Sequence, residues 1–362
     1  MENKLTKARE KINEIDKRMA ELFVERMKAA ELVAEHKKEH GLEVQDSVRE
    51  AELIRRNSEL VEDETYREYY VNFQKNTMAL SRAYQTRLLE GMKVAYSGTE
   101  GAYAHLAASK LFPTAKKQGY GSFDEAYLAV ENGECDVAVL PVENSYNGDV
   151  GQVCDLMFSG SLYVNTVTEL AISHDLLAPK GARLEEITTV MSHPQALGQC
   201  HNYVVKRGLS EIEFSNTALA AKHVAKLGDT SVAAIASAEA AELFGLEVLD
   251  TNINESRSNT TRFAVFSRSR NKPTIGDKRT HTILLFTVKH ETGALAKAVD
   301  IIAKYGFNMG ALRSRPMKEL LWQYYFYVEA EGDLESENGK KMMDELKKHC
   351  DRLKSVGAYV VS

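Results

Sequence analysis

Apolar residues at Leu5, Ala8, Ile12, Ile15, Met19, Leu22, Ala29 and Val33 recur mostly in steps of three and four. That spacing predicts one long amphipathic helix ending near Gly41. Ser47-x-x-Glu50 and Thr65-x-x-Glu68 read as capping boxes opening a second and a third helix. The third helix gathers Tyr66, Tyr69, Tyr70, Phe73, Thr77 and Leu80 on its apolar side and runs to about Leu89. From residue 92 the pattern changes to short apolar runs, KVAYS, DVAVLPV, TTVMS, EIEF and SVAAIA, interleaved with helical segments such as AYAHLAASKLF and TALAAKHVAKLG. PQALGQCHNYVVKRG reads as a single helix, and a β-rich stretch occupies 162–179. Such alternation predicts a largely parallel sheet covered by helices. An apparent return across the middle of 92–270 predicts two lobes with a cleft between them. The tail reads strand HTILLFTVK, helix GALAKAVDIIAKYG, strands FNMGALRSR and WQYYFYVEAEG, helix NGKKMMDELKKHCDRLKS and strand AYVVS. That β-α-β-β-α-β order is the ferredoxin-like motif. The charged segment 267–279, with Pro273 and Gly276, marks the boundary before it.

Composition narrows the class. A chain of 362 residues, 44% hydrophobic and 27% charged, fits a globular protein of two or three domains. A net charge of −6 argues against a nucleic-acid partner. The first residues, MENKLTKARE, lack the apolar stretch of a signal peptide, and no run approaches the ~18 apolar residues of a membrane span. Cys135, Cys154, Cys200 and Cys350 form no C-x-x-C pair and read as reduced thiols of a cytoplasmic protein. His36 and His40 sit in E-H-K-K-E-H, which is not the zinc-protease motif, so a solvated helix end is the reading preferred to a metal site.

Four stretches share one layout, an apolar run beside a polar cluster: 93–101, 137–145, 187–195 and 257–266. Ligands of open α/β sheets bind beyond the carboxyl ends of strands, so the four predict one cleft. Gly98-Thr99-Glu100-Gly101 is neither a dinucleotide fingerprint nor a P-loop; it reads as a tight turn before a helix whose amino terminus can seat an anion. Read singly, Thr261 and Arg262 are a strand edge, Asn144 and Ser145 helix caps, and Ser192 and His193 the residues leading to Pro194 at a first helical position. In the first helix Arg26 and Lys37 are eleven apart, within ~20° on one face and ~16 Å along the axis. Arg9 precedes Arg26 by seventeen residues, ~25 Å away, and cannot reach the same pocket from the same helix. An antiparallel partner could supply it, which predicts a site shared in an intertwined dimer; a plain dimerisation arm is the alternative.

S-H-P-Q at 192–195, P-V-E-N-S at 141–145 and T-R-F at 261–263 together resemble prephenate dehydratase. A-R-E-K-I-x-x-I-D at 8–16 resembles the opening of the all-helical chorismate mutases, and the tail resembles the amino-acid-sensing ACT module. Nearly the whole chain is similar to the bacterial bifunctional chorismate mutase–prephenate dehydratase family. The resemblance implies an all-α mutase domain at 1–91, a two-lobed, periplasmic-binding-protein-like α/β dehydratase at 92–270 and an α+β ferredoxin-like ACT domain at 280–362. It implies no cofactor and no metal, chorismate and prephenate as substrates, and a homodimer or higher homo-oligomer.

By that resemblance Arg9 of the partner chain, Arg26 and Arg49 grip two carboxylates, supported by Ser81. Asp46 and Glu50 face the substrate hydroxyl, and Lys37 and Gln85 bond the ether oxygen. Ser81 and Gln85, four apart, share a helix face as that requires. In the dehydratase, Thr261 assists departure of the ring hydroxyl, polarised by Arg262 or by the Glu143–Asn144 pair. Arg262 alternatively holds a carboxylate, Phe263 packs beneath the ring, and Ser145, His193 and Gln195 support the site. Thr99 and Ala102 depart from the family's glycine turn, replacing a proline and a hydroxyl. Phenylalanine is the implied effector, at Gly293, Ala294 and Leu295 with Ser314, Arg315 and Pro316. Ala296 and Arg313 depart from the family there; Arg313 stands where a carboxylate is usual, so reduced sensitivity is expected. Two further readings stay open: an amino-acid-responsive binding protein without catalysis, and arogenate as the dehydratase substrate.

Overall fold

The computed structural model of the chain describes residues 3–256, 258–270, 280–317 and 323–360. The chain divides into two compact units, Met1–Met92 and Lys93–Ser362. The first holds α1 (Lys4–His40), α2 (Ser47–Ser58) and α3 (Glu64–Glu90). α1 ends where Gly41 turns left-handed at φ 64°, a conformation that favours glycine. The capping boxes are displaced. Asp46 caps α2 by accepting from Arg49 N, and Asp63 caps α3 by accepting from Thr65 N and Tyr66 N. A carboxylate suits the positive helix end better than a hydroxyl, so Ser47 and Thr65 fall inside the first turns. The side of α3 expected to be covered is not. Tyr66, Tyr69, Phe73 and Leu80 stay exposed, while Gln74, Met78, Ser81 and Gln85 are buried. Ala30 and Ala34 are buried on α1, small enough for close approach of the two helices. Residues 4–26 of α1 are exposed throughout.

The second unit opens with β1 (Lys93–Ser97), α4 (Tyr103–Leu111), β2 (Lys116–Tyr120), α5 (Phe123–Glu131), β3 (Val137–Asn144), β4 (Gly148–Asp149), α6 (Gly151–Ser159) and β5 (Tyr163–Ala171). A second lobe follows, with β6 (Asp175–Ala178), β7 (Thr189–Ser192), α7 (Pro194–Gln199), α8 (His201–Arg207), β8 (Ser210–Glu213), α9 (Thr217–Leu227), β9 (Val232–Ala236), α10 (Ala238–Phe244) and β10 (Glu247–Asp250). β11 (Thr260–Ser267) returns to the first sheet. The sheet orders are β2-β1-β3-β11-β5, with β4 on β3, and β10-β6-β9-β7-β8. Both sheets are mixed rather than largely parallel: β11 runs antiparallel to β3 and β5, and β6 antiparallel to β9 and β10. The reversals occur beside the two crossovers, at 172–174 and 251–259, where the chain changes lobes. The single helix expected at 194–208 breaks at Cys200 into α7 and α8.

The tail forms β12 (Thr280–Val288), α11 (Ala294–Lys304), β13 (Asn308–Pro316), β14 (Tyr324–Glu331), α12 (Glu337–Leu346) and β15 (Cys350–Val360). Its sheet is antiparallel in the order β13-β14-β12-β15. Strand alternation gives it two apolar faces. Leu284, Phe286 and Val328 pack against Ile301, Ile302 and Met342 of α11 and α12. Ile283, Leu285, Tyr327 and Val356 share a core with Val164, Ala264 and Phe266 of the first lobe. At Gly357 the approach is closest, since a Cβ there would lie 2.0 Å from the carbonyl oxygen of Val164. Pro273, Gly276 and the expected strand start at Trp322 lie outside the described residues. Among the described residues no helix is long and apolar enough to cross a membrane.

Candidate active sites

In the helical unit Arg26, from the middle of α1, donates to Ser81 Oγ on α3 and to the Thr77 carbonyl (3.4 Å). Lys37 reaches back to the Val44 carbonyl, fixing the loop before α2. Glu50 is gripped by Arg82, whose guanidinium lies 2.5 Å from both carboxylate oxygens. Gln85 is buried, and its Oε1 has no partner among the described residues. Asp46 is occupied as the α2 cap. Arg49 lies apart, exposed and paired with Glu52 at 3.0 Å. Arg9 lies in the exposed arm of α1, ~25 Å from Arg26. An apolar groove of about 740 Å³, lined by Met19, Leu22, Phe23, Leu53, Tyr70 and Phe73, opens beside Arg26. His36, Glu39 and His40, read as a solvated helix end, are exposed with ligating atoms within 4.8 Å of one another.

In the second unit a cleft of about 550 Å³ lies between the lobes. Thr261 and Phe263 on β11 and Asn144 on β3 line one wall, and His193, Gln195 and Asn216 line the other. Thr261 is buried, and its Oγ1 accepts from Asn144 Nδ2 at 2.9 Å. Because that oxygen is an acceptor toward Asn144, the hydroxyl proton is available to the cleft. Asn144 is fixed in turn, with Oδ1 accepting from Tyr146 N and Asn147 N, both at 3.0 Å. A buried chain continues from it. Asn144 donates to Asn259 Oδ1 (2.8 Å), and Asn259 donates to Gln199 Oε1 (3.0 Å). The same Gln199 oxygen accepts from His174 Nε2 at 2.9 Å, which puts the imidazole proton on Nε2. Tyr103 stands 3.1 Å from His174 Nδ1 and donates to the Ser173 carbonyl at 2.5 Å. Burial lowers the His174 pKa below its usual 6.5, opposed by the Gln199 hydrogen bond and by Asp175. Burial likewise raises the Tyr103 hydroxyl well above the ordinary tyrosine range, helped by the Asp175 charge. His174 and Asn259 sit on the two crossovers, so one hydrogen-bond chain ties the lobes to Thr261.

A family model for prephenate dehydratase matches residues 94–271, and one for chorismate mutase type II matches residues 8–86. The bifunctional chorismate mutase/prephenate dehydratase of Aquifex aeolicus (strain VF5) is 32% identical over 362 residues, covering 98% of this chain and 97% of that protein. The chain belongs to the bifunctional chorismate mutase/prephenate dehydratase family. It is an enzyme with a mutase and a dehydratase domain. Arogenate dehydratase 2 of Petunia hybrida is 35% identical over 282 residues, covering 74% of this chain and 71% of that one. The solved prephenate dehydratase of Arthrobacter aurescens, in complex with L-Phe, is 25% identical with a TM-score of 0.68, covering 74% of this chain and 90% of that one.

In the dehydratase, three residues expected at the substrate face elsewhere. Neighbours on a strand alternate faces, so Thr261 and Phe263 turn to the cleft and Arg262 turns away. Arg262 binds Glu143 (3.1 Å), Glu329 (2.7 Å) and the Tyr359 hydroxyl (2.8 Å), joining β3 and β11 to the C-terminal sheet. Neither Arg262 nor Glu143 therefore polarises the Thr261 hydroxyl; Asn144 contacts it instead. Ser145 is a latch, donating to the Ser258 carbonyl and accepting from Thr260 N, both at 3.0 Å. His193 lines the cleft and caps α7, accepting from Gln195 N at 3.2 Å; burial lowers its pKa against the pull of Glu213. Tyr103, His174 and Gln199 were not singled out by sequence, and Asn259 only as the entry to β11; for His174 the available signal was the polar triplet Ser173-His174-Asp175 interrupting an apolar run. In the mutase Arg82 was missed in the same way, beside Ser81.

No lysine or arginine lines this cleft among the described residues. The amino termini of α4 and α6 do line it, and neither has a side-chain cap. In the tail, Gly293 precedes α11 in a left-handed conformation (φ 83°), with Ala294 and Leu295 opening the helix. Ser314 pairs with Phe326, which pairs with Phe286, so the ends of β12 and β13 share one end of the sheet. Arg313 and Arg315 turn to the dehydratase lobe. Arg313 Nε meets Asp149 at 2.8 Å, and Arg315 meets Asp155 at 3.1 Å, close to Pro316. Arg313 is thus committed to carboxylates of the dehydratase lobe.

Proposed function

We propose that residues 1–91 rearrange chorismate to prephenate, that 92–270 convert prephenate to phenylpyruvate, and that 280–362 form an ACT module for phenylalanine. The observation that carries the dehydratase reading is Thr261 Oγ1, buried at the cleft and accepting from Asn144 at 2.9 Å. In that reaction the ring carboxylate leaves as carbon dioxide, and its bonding electrons enter the ring. The ring hydroxyl then departs and takes up a proton to become water. Thr261 donates a hydrogen bond to the leaving oxygen; threonine is too weak an acid to act without such a preorganised setting. The uncapped termini of α4 and α6 offer N–H groups and positive dipole ends for the two carboxylates. Phe263 packs beneath the ring, with His193 and Gln195 lining the far wall.

For the mutase, Arg26 and Ser81 hold a carboxylate, and Glu50, oriented by Arg82, faces the substrate hydroxyl. Lys37 and Gln85 turn donors to the ether oxygen, where negative charge grows as the C–O bond breaks. Arg9 comes from a second copy, whose helices cover the exposed arm of α1 and the groove beside Arg26 in a homodimer. The L-Phe complex of the Arthrobacter aurescens enzyme supports phenylalanine as effector. The four unpaired cysteines fit a cytoplasmic setting. The Petunia relative favours a second reading, arogenate as dehydratase substrate. A coupled assay tests the set: phenylpyruvate must form from chorismate, faster from prephenate than phenylalanine forms from arogenate, and slower with phenylalanine added. Absence of phenylpyruvate from supplied prephenate would overturn the dehydratase assignment.

A further inference from the structure

Asp149 is the only acidic residue among the described residues that line the dehydratase cleft, and it lies opposite Glu143 in the β3–β4 pair. It ends the β3–β4 hairpin and stands two residues before Gly151, the first residue of α6. An acidic side chain there would do two things: bond the free N–H groups of α6 and repel an anionic ligand seeking them. It does neither, because Arg313 of the C-terminal sheet holds it. Arg313 Nε lies 2.8 Å from Asp149 Oδ1, its Nη2 reaches Glu143, and the guanidinium lies 5.3 Å from the centre of the Tyr327 ring. α6 is left without a side-chain cap. Around this point Arg262, Arg313 and Arg315 face Glu143, Glu329, Asp149 and Asp155, three cations against four anions. Removing Arg313 takes that local balance from −1 to −2 beside the cleft.

We propose that Arg313 is a specificity-determining residue of the dehydratase, withdrawing and neutralising Asp149 so that the cleft prefers a keto-acid substrate to its amino counterpart. The proposal rests on the dehydratase reading above. Prephenate carries two carboxylates and a keto group, whereas arogenate carries an ammonium where the keto group stands. A free Asp149 repels the first and attracts the ammonium of the second, so a single pair biases the choice between them. Arg313 acts through Asp149 and does not itself line the cleft.

The test measures kcat/KM for prephenate and arogenate in wild type, Arg313→Gln, Arg313→Lys, Asp149→Asn and the double variant Arg313→Gln/Asp149→Asn. Arg313→Gln should shift the prephenate-to-arogenate ratio about tenfold toward arogenate, mainly through the KM for prephenate, as unpaired like charge does at a binding surface. Arg313→Lys and the double variant should return most of the prephenate efficiency. Asp149→Asn alone should move the ratio the other way, and it decides the matter if Arg313→Gln fails to fold. Equal loss on both substrates in Arg313→Gln, no recovery in the double variant, or an unchanged ratio in Asp149→Asn would each overturn the proposal. A wild-type enzyme inactive on both substrates would instead overturn the dehydratase reading.

Discussion

At Thr261 the residue type alone explains little, and its surroundings explain the rest. Asn144 occupies an acceptor site of the hydroxyl, and the chain through Asn259 and Gln199 to His174 keeps Asn144 in place. His174 holds one proton on Nε2 for Gln199, and burial disfavours a second on Nδ1. Burial puts its folded-state pKa below the usual 6.5, so its contribution to stability is complete above 6.5 and is lost as pH falls through the folded value. We expect the dehydratase rate to show an acid limb below pH 6.5 that His174→Gln removes; a limb unchanged in that variant would detach His174 from the reaction. The motifs made Thr261, His193 and Gln195 legible in the sequence. Arg262 and Glu143 were misplaced because spacing shows which residues share a strand face without showing which face meets the ligand. The C-terminal sheet, distant in sequence, covers the other face of β11 and so settles it.

Elements were read well wherever an apolar pattern marked them. β2 shows the limit: K-K-Q-G-Y lies at a sheet edge, mostly exposed, and carries no alternation to detect. The break at Cys200 escaped because apolar spacing continues across it, with Leu197 and Val204 buried on either side. The docking of β15 on β5 was also invisible, since Gly357 looked like an ordinary glycine. Its missing side chain is what lets the C-terminal sheet approach Val164. Gly357→Ala forces backbone apart on both sides and should cost about 2–3 kcal/mol, the upper part of the usual overpacking range. Urea unfolding followed by circular dichroism measures it, and a stability equal to wild type would contradict the contact.

For the whole molecule, the order of the blocks was readable because each carries its own periodicity. The shared core between the tail and the first lobe was not, since it joins residues as far apart as Val164 and Val356. The helical unit leaves Leu5, Ile12, Ile15, Met19 and Leu22 exposed and holds Arg9 remote from Arg26. In the proposed homodimer, mixing Arg9→Ala with Lys37→Ala chains should restore about a quarter of wild-type mutase activity, because half of the dimers would be mixed, each with one intact site. No recovery after verified subunit exchange would contradict a shared site.

The central claim is that two chemistries run at two separate sites, one built on α1–α3 and one on the cleft around Thr261. Assaying Lys37→Ala and Thr261→Val for both reactions tests it most directly. Lys37→Ala should lose mutase activity while still consuming supplied prephenate at the wild-type rate. Thr261→Val, which keeps the side chain's shape without its donor, should retain the mutase and lose about 10²–10³ in dehydratase turnover. Both activities falling together in either folded variant would contradict the account.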